Sequence, residues 1–195
     1  MTRIVRVLGC IEKLRHASEV AMTTATDTAE PAAPPRQRTF TWEDPVEAAA
    51  TGAGMSGAEF FAGIAAGTIA PPPILRTLDF DGVSFGDGSA VFRVTPREFH
   101  YNTLGGVHGG VFATLLDSAC GCAVHTRLPA GTGYTSLDLS VKFLRPVTVA
   151  TGPITATGSV VHFGRRTALA EARITDDAGK VYATATSSCL VLRPQ

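Results

Sequence analysis

The sequence predicts an α+β fold, a curved antiparallel sheet of about six strands wrapped around one long central helix, with a short helix ahead of them. Three observations carry that expectation. Residues 102–127 open as a glycine-rich loop (Gly105, Gly106, Gly109, Gly110) and run on as about five helical turns of nearly unbroken apolar and small residues. A helix that is apolar all round belongs inside a fold. The segments on either side of it alternate apolar and polar residues with period two, and turn residues separate them at hairpin spacing.

Composition narrows the class. The chain has 195 residues, 45% of them hydrophobic, which is room for one well-filled domain and an extension. Lys+Arg and Asp+Glu are equal at 17 each and no basic stripe appears, which excludes a dedicated nucleic-acid role. Cys10, Cys120, Cys122 and Cys189 show neither disulfide-scaffold nor zinc spacing, and Cys120 and Cys122 fall on the apolar helix as small hydrophobes. No metal is expected, and the chain reads as a reduced, cytoplasmic protein. No apolar run approaches the roughly 18 residues of a membrane span. Arg3 and Arg6 interrupt the apolar start and no small-residue cleavage site follows, which argues against a secretory signal. A transit peptide, or a start at Met22, are the other readings of that segment.

Along the chain, residues 17–54 are rich in Ala, Thr, Pro and Glu and poor in large apolar side chains, so residues 1–54 read as a disordered leader. Residues 55–73 hold the short helix and a connector: Ser56 and Glu59 form an S-x-x-E capping box, the helix stops at Gly67, and Pro71, Pro72 and Pro73 force an extended link. Residues 74–195 are the main domain. Residues 75–85 and 90–95 are read as strands joined by Gly86-Asp87-Gly88. After the central helix, Thr135, Leu137, Leu139, Val141 and Phe143 alternate with Ser136, Asp138, Ser140 and Lys142 as one half-buried strand. Residues 154–163, 167–176 and 181–192 complete a meander.

The motif N-x-x-G-x-x-H-G-G over residues 102–110, with Asp117 nine residues after His108, is followed by T-S-L-D-L-S-V-K-F-L-R-P from Thr135. Together they resemble the hotdog-fold acyl-CoA thioesterases of the phenylacetic-acid-degradation type, over residues 56–192. The resemblance implies a hotdog homodimer, often paired into a tetramer, that hydrolyses acyl-CoA esters and needs no cofactor, CoA being part of the substrate. It also implies roles. Asp117 matches the general base or nucleophile and Gly109 the residue whose amide polarises the carbonyl. Asn102 and His108 match the residues that orient the loop, and Ser136 one that positions the attacking water.

The residues support this chemistry independently. Asp117 sits mid-helix among Ala113, Thr114, Cys120 and Gly121, so small neighbours leave space beside a carboxylate that is costly to bury unused. The first amides of a helix are unsatisfied and lie at the positive end of its dipole, and Gly109 and Gly110 let a substrate approach them. Eight residues separate Gly109 from Asp117, roughly 12 Å along one helix. Both must come within about 3 Å of one reacting group. Two antiparallel helices across a two-fold axis meet that requirement and a single chain does not, so the expected site is composite.

Each residue has a plainer reading. Asp117 is otherwise a hydrogen-bonded structural carboxylate, His108 a loop residue, and Asn102 a turn former. Ser136 falls on the polar parity of its strand, and Thr135 competes for its role. Arg165 and Arg166 suit CoA phosphates or are solvated turn charges. Phe60, Phe61 and Ile64 line an acyl pocket or simply pack the core. Gly82-Val83-Ser84-Phe85-Gly86 fits G-x-S-x-G, but a turn and a strand follow rather than the helix that a nucleophile elbow needs. The Gly105–Gly110 loop lacks the Lys of a phosphate-binding P-loop. The rival functions are a hydratase or dehydratase using His108, and a non-catalytic acyl-CoA-binding module.

Overall fold

Asp44 and Pro45 start the first helix of the computed structural model, which describes residues 35–193. From Thr39 the chain forms one unit. The readings of Cys10, the Met22 start and residues 1–34 of the leader fall outside the described residues. Helix α1 (Pro45–Gly52) has Pro at its first position, where the ring's fixed φ suits a helix, and the Asp44 side chain accepts from the Val46 amide at 2.8 Å. Order therefore precedes Met55. The Ala run at 48–50 supplies helix propensity without the apolar periodicity that would have revealed it.

Helix α2 (Gly57–Ala65) begins at the expected capping box: the Ser56 amide donates to Glu59 Oε2 at 2.8 Å and the Glu59 amide to Ser56 Oγ at 3.3 Å. The Ser56 amide, together with the Ser56 hydroxyl that donates to the same oxygen at 2.7 Å, holds the Glu59 carboxyl below its ordinary value. Gly67 follows with φ +73°, as a helix stop requires. The proline link differs from the expected extended connector and strand. Pro73 opens a short helix, α3 (Pro73–Thr77), and strand β1 (Phe80–Gly86) starts only after it. Pro71 and Pro72 stay extended, while Pro73 takes the first helical position, where its missing N–H costs nothing.

β1 pairs antiparallel with β2 (Ser89–Val94) across the Asp87-Gly88 turn, with Gly88 at φ +66°. The long helix, α4 (Gly109–His125), comes next. Strands β3 (Gly133–Ser136), β4 (Ser140–Phe143), β5 (Ile154–Phe163), β6 (Thr167–Asp176) and β7 (Val181–Leu192) follow. The sheet order is β1-β2-β5-β6-β7-β3, with β4 also on β7. The last three strands form a meander, but the strand after the helix does not open it as the expected first of four: it crosses to the far edge and pairs with β7.

α4 lies against one face of this sheet. The sheet residues beneath it are mostly small, among them Ala90, Ala156, Ala170, Ala183 and Ala185, all buried, and Leu115, Leu116 and Val124 of the helix fill the space between. Gly158 marks the closest approach: a Cβ there would stand 2.2 Å from the Ala119 carbonyl oxygen. α2 packs near the helix C-terminus, with the Phe61 ring stacked on Phe85 at 4.0 Å and Phe60 on His125 at 5.1 Å.

Two expectations about the centre are corrected. The helix is not covered all round, because Gly110 and Asp117 are exposed, and Ala113 and Thr114 between them and Ser118 just beyond are half-buried. The strand at 135–143 is not one alternating run. Ser136 pairs with Cys189 but Ser140 with Thr186, so β3 and β4 spend one more residue than β7 does over the same span. This bulge reverses the parity. Tyr134 and Ser136 pair with the buried Val191 and Cys189, and beyond the bulge Val141 and Phe143 pair with the buried Ala185 and Ala183. All four face the helix.

Candidate active site

The glycine-rich loop is fastened from three sides. The Asn102 amide donates to the Gly106 carbonyl at 2.8 Å, and Asn102 Oδ1 accepts from the Leu104 amide at 2.8 Å and the Gly106 amide at 3.4 Å. Asn102 thus closes its own loop, with Gly105 at φ +79°. The Val107 amide donates to the Val147 carbonyl at 2.9 Å and the His108 amide to the His100 carbonyl at 2.8 Å. His100 is the post of this arrangement. It is buried, its Nδ1 accepts from the Arg97 amide at 3.0 Å, and its Nε2 bonds the Leu78 carbonyl at 3.0 Å. A lone histidine carries no such signal in a single sequence.

His108 is the N-cap of α4. Its Nδ1 accepts from the Gly110 amide at 2.8 Å, so the neutral ring carries its proton on Nε2. The Val111 amide is taken by the His108 carbonyl at 2.9 Å. Gly109 is left as the first helical residue, and among the described residues its amide has no acceptor. The loop and the β4 end enclose a groove of about 540 Å³ around it, lined by Asn102, Leu104, Gly109, Phe112, Phe143 and Arg145. A Cβ on Gly109 would come within 3.2 Å of the Phe143 ring, so a side chain there would crowd the groove wall.

Two helical turns on, Asp117 stands on the open face. Ser136 Oγ donates to its Oδ1 at 3.4 Å, across the strand whose parity the bulge resets. Thr135 pairs with Leu190 and faces away from the helix. One turn further, the Tyr134 hydroxyl lies 2.8 Å from where a Gly121 Cβ would be, and the Tyr134 ring is 5.5 Å from His125. Burial, together with the charge of Asp117, pushes the Tyr134 phenol up and raises the Cys122 thiol to about 12, so neither ionises near neutrality. Burial pushes the His125 imidazole below its ordinary value. Phe60, Phe61 and Ile64 line a cavity of about 240 Å³ with Phe92, Cys122 and His125, at the far end of the helix from Gly109. Arg165 and Arg166 sit at the β5–β6 turn, away from the groove.

Gly109, Gly110, Asn102 and His108 are therefore assembled at the helix start, and Asp117 with Ser136 on its middle. Residues 104–183 match the model of a family described as the thioesterase superfamily. A Saccharolobus solfataricus protein described as a candidate esterase is 30% identical over 120 residues, 62% of this chain and 84% of that protein. The chain belongs to the thioesterase superfamily. Two further relatives of this thioesterase-superfamily chain bear comparison. A Halobacterium salinarum candidate esterase is 39% identical over 102 residues, 48% of this chain and 66% of that protein. The 1,4-dihydroxy-2-naphthoyl-CoA hydrolase of Listeria monocytogenes is 27% identical over 106 residues, 54% of this chain and 85% of that one. Among solved structures, a phenylacetic acid degradation-related candidate thioesterase of Ralstonia eutropha JMP134 superposes with a TM-score of 0.61 at 26% identity, covering 67% of this chain and 98% of that one. The shared architecture is the hotdog fold, and thioester hydrolysis is the general chemistry of the family. Among the described residues no helix is long and apolar enough to cross a membrane.

Proposed function

We propose that this chain hydrolyses acyl-CoA thioesters to free acid and CoA in a homodimer whose two sites each draw on both subunits. The observation that carries the reading is one helix with two functional stations: at its start, an amide at Gly109 with no acceptor among the described residues, and at its middle, an exposed carboxylate held by Ser136 at Asp117. Within a single α4 these groups are roughly 12 Å apart. A partner helix running antiparallel would bring the second Gly109 to the first Asp117.

In the reaction, Ser136 orients a water beside Asp117, which takes its proton as the oxygen adds to the thioester carbonyl. The negative charge that develops on the carbonyl oxygen is met by the Gly109 amide at the positive end of the helix dipole. Collapse breaks the C–S bond, and the thiolate leaves with the proton that Asp117 holds. Asn102 and His108 act by positioning: one closes the loop, the other engages the Gly110 amide so that Gly109's stays free. His108 Nδ1 is taken up by the helix start, which supports the positioning role.

The test is thiol release from a panel of acyl-CoAs by wild type and Asp117→Asn. Loss of one well-placed stabilising group costs about 10²–10³ in turnover, and the Asn variant is expected to lose at least that. Near-full activity in the variant would refute the assignment. Acyl-CoA bound and left intact by the wild type would make the protein a binding module instead.

A further inference from the structure

We infer that the apolar cavity beside the C-terminal turns of α4 takes the distal end of an uncharged, medium-length acyl chain, and that Tyr134 narrows its mouth and so governs which chain lengths enter. The inference rests on the acyl-CoA reading above. The cavity has a volume of about 240 Å³ and lies between α1, α2, the β1–β2 hairpin and α4. Folded interiors carry few voids larger than a water molecule. An apolar cavity of about 150 Å³ stays dry and binds benzene, so this one has room for a hydrocarbon group.

The lining fits such a group. Phe60, Phe61, Ile64, Leu75 and Phe92 contribute to it, and none of the described residues around it is Asp, Glu, Lys or Arg. Burial pushes its one imidazole, His125, further from protonation. A terminal carboxylate would lose its water there with no cation to meet it. Helix α1 closes the cavity with small side chains: Ala48 and Ala49 line it, and no residue of that helix is buried. The space exists because these side chains stop at Cβ.

Tyr134 joins the cavity to the reacting end. Asp117 and Gly121 stand one turn apart on one face of α4, and Ser136 and Tyr134 share the parity of β3 that faces it. Ser136 meets Asp117, and the Tyr134 hydroxyl lies 2.8 Å from where a Gly121 Cβ would be. Beyond the phenol comes the His125 ring at 5.5 Å, and beyond that Phe60 and Phe61, at 5.1 Å and 4.9 Å from His125. Cys122 and His125, which line the cavity, stand roughly 7 Å and 12 Å along the helix axis from Asp117. A medium-length chain with its thioester at Asp117 spans that distance, and a short one ends at the phenol.

The test measures kcat/KM on butanoyl-, octanoyl- and octanedioyl-CoA for the full chain and its Tyr134→Ala and Ala48→Phe variants, with calorimetric binding of octanoate beside it. Each buried methylene contributes about a factor of four. Widening the mouth in Tyr134→Ala should therefore raise the octanoyl-to-butanoyl ratio about fourfold or more. Filling the cavity in Ala48→Phe should lower that ratio, and the octanoate affinity, about tenfold or more, the loss of about two such methylenes. Ala48 lies on a helix without buried residues, so this variant carries the test if Tyr134→Ala fails to fold. Octanedioyl-CoA should be a poorer substrate than octanoyl-CoA by about tenfold or more, the cost of an unpaired charge in an apolar site. A ratio and an octanoate affinity that Ala48→Phe leaves unmoved, or equal rates on octanoyl- and octanedioyl-CoA, would overturn the cavity while leaving the hydrolase intact. A wild type that splits no thioester yet binds octanoate, with the binding lost in Ala48→Phe, would keep the cavity and overturn the hydrolase.

Discussion

Replacing His108 separates a capping residue from a proton-transfer catalyst. Its Nδ1 accepts from the Gly110 amide at 2.8 Å at the first turn of α4, and removing an N-cap acceptor costs about 1 kcal/mol. For a unit of this size, each kcal/mol lowers Tm by about 2–4 °C, so His108→Ala should melt a few degrees early. Asn is among the strongest N-caps, and its side-chain oxygen can take the same amide. His108→Asn should therefore recover most of the lost stability. It should also recover most of the thioesterase rate, since a capped helix start again leaves Gly109 as the free donor. Thermal and urea unfolding supply the first readout, and kcat on the best acyl-CoA the second. An Asn variant as unstable as the Ala variant would refute the cap. An Asn variant that is fully stable yet inactive would refute the positioning role and return His108 to the chemistry.

Two further outcomes follow from packing and burial. Gly158→Ala places a Cβ 2.2 Å from the Ala119 carbonyl oxygen and 2.4 Å from its carbon, against backbone that cannot rotate aside; overpacking of this kind costs about 1–3 kcal/mol, so Tm should fall by roughly 2–12 °C, and an unchanged Tm would show that the helix does not lie so close. Burial pushes the His125 imidazole below its ordinary value in the folded chain, whereas the unfolded chain takes up its proton near pH 6.5. Below that pH the unfolded state binds more protons, so stability falls on acidification and levels off once the folded-state imidazole titrates. His125→Phe should flatten urea midpoints compared between about pH 7.5 and pH 5.5, and a variant as acid-sensitive as the wild type would contradict this.

The sequence made the central helix, the capping box and the Asp87-Gly88 hairpin legible because each is local: an apolar run, a three-residue spacing, a turn dipeptide. Asp117 and Gly109 were legible for the same reason, through spacing along one helix. Ser136 was not secured by pattern. Strict alternation puts it on the solvent side with Ser140 and Lys142, and only the mismatch between Ser136↔Cys189 and Ser140↔Thr186 turns it toward the helix. That mismatch depends on the partner strand, which no local window contains. His100 was missed likewise, since its bonds reach back to Leu78. The α1 helix was hidden by weak amphipathicity, and α3 by three prolines in a row of which only the last is helical.

The extra residue between β3 and β4 acts as a phase shifter. Upstream of it the sheet offers α4 a hydroxyl and a phenol; downstream it offers aliphatic and aromatic packing. The three positions from Leu137 to Leu139 thus encode information through their number more than their identity. A substitution there leaves both halves in step, whereas losing one residue would turn either the serine beside Asp117 or the Val141–Phe143 wall to the outside.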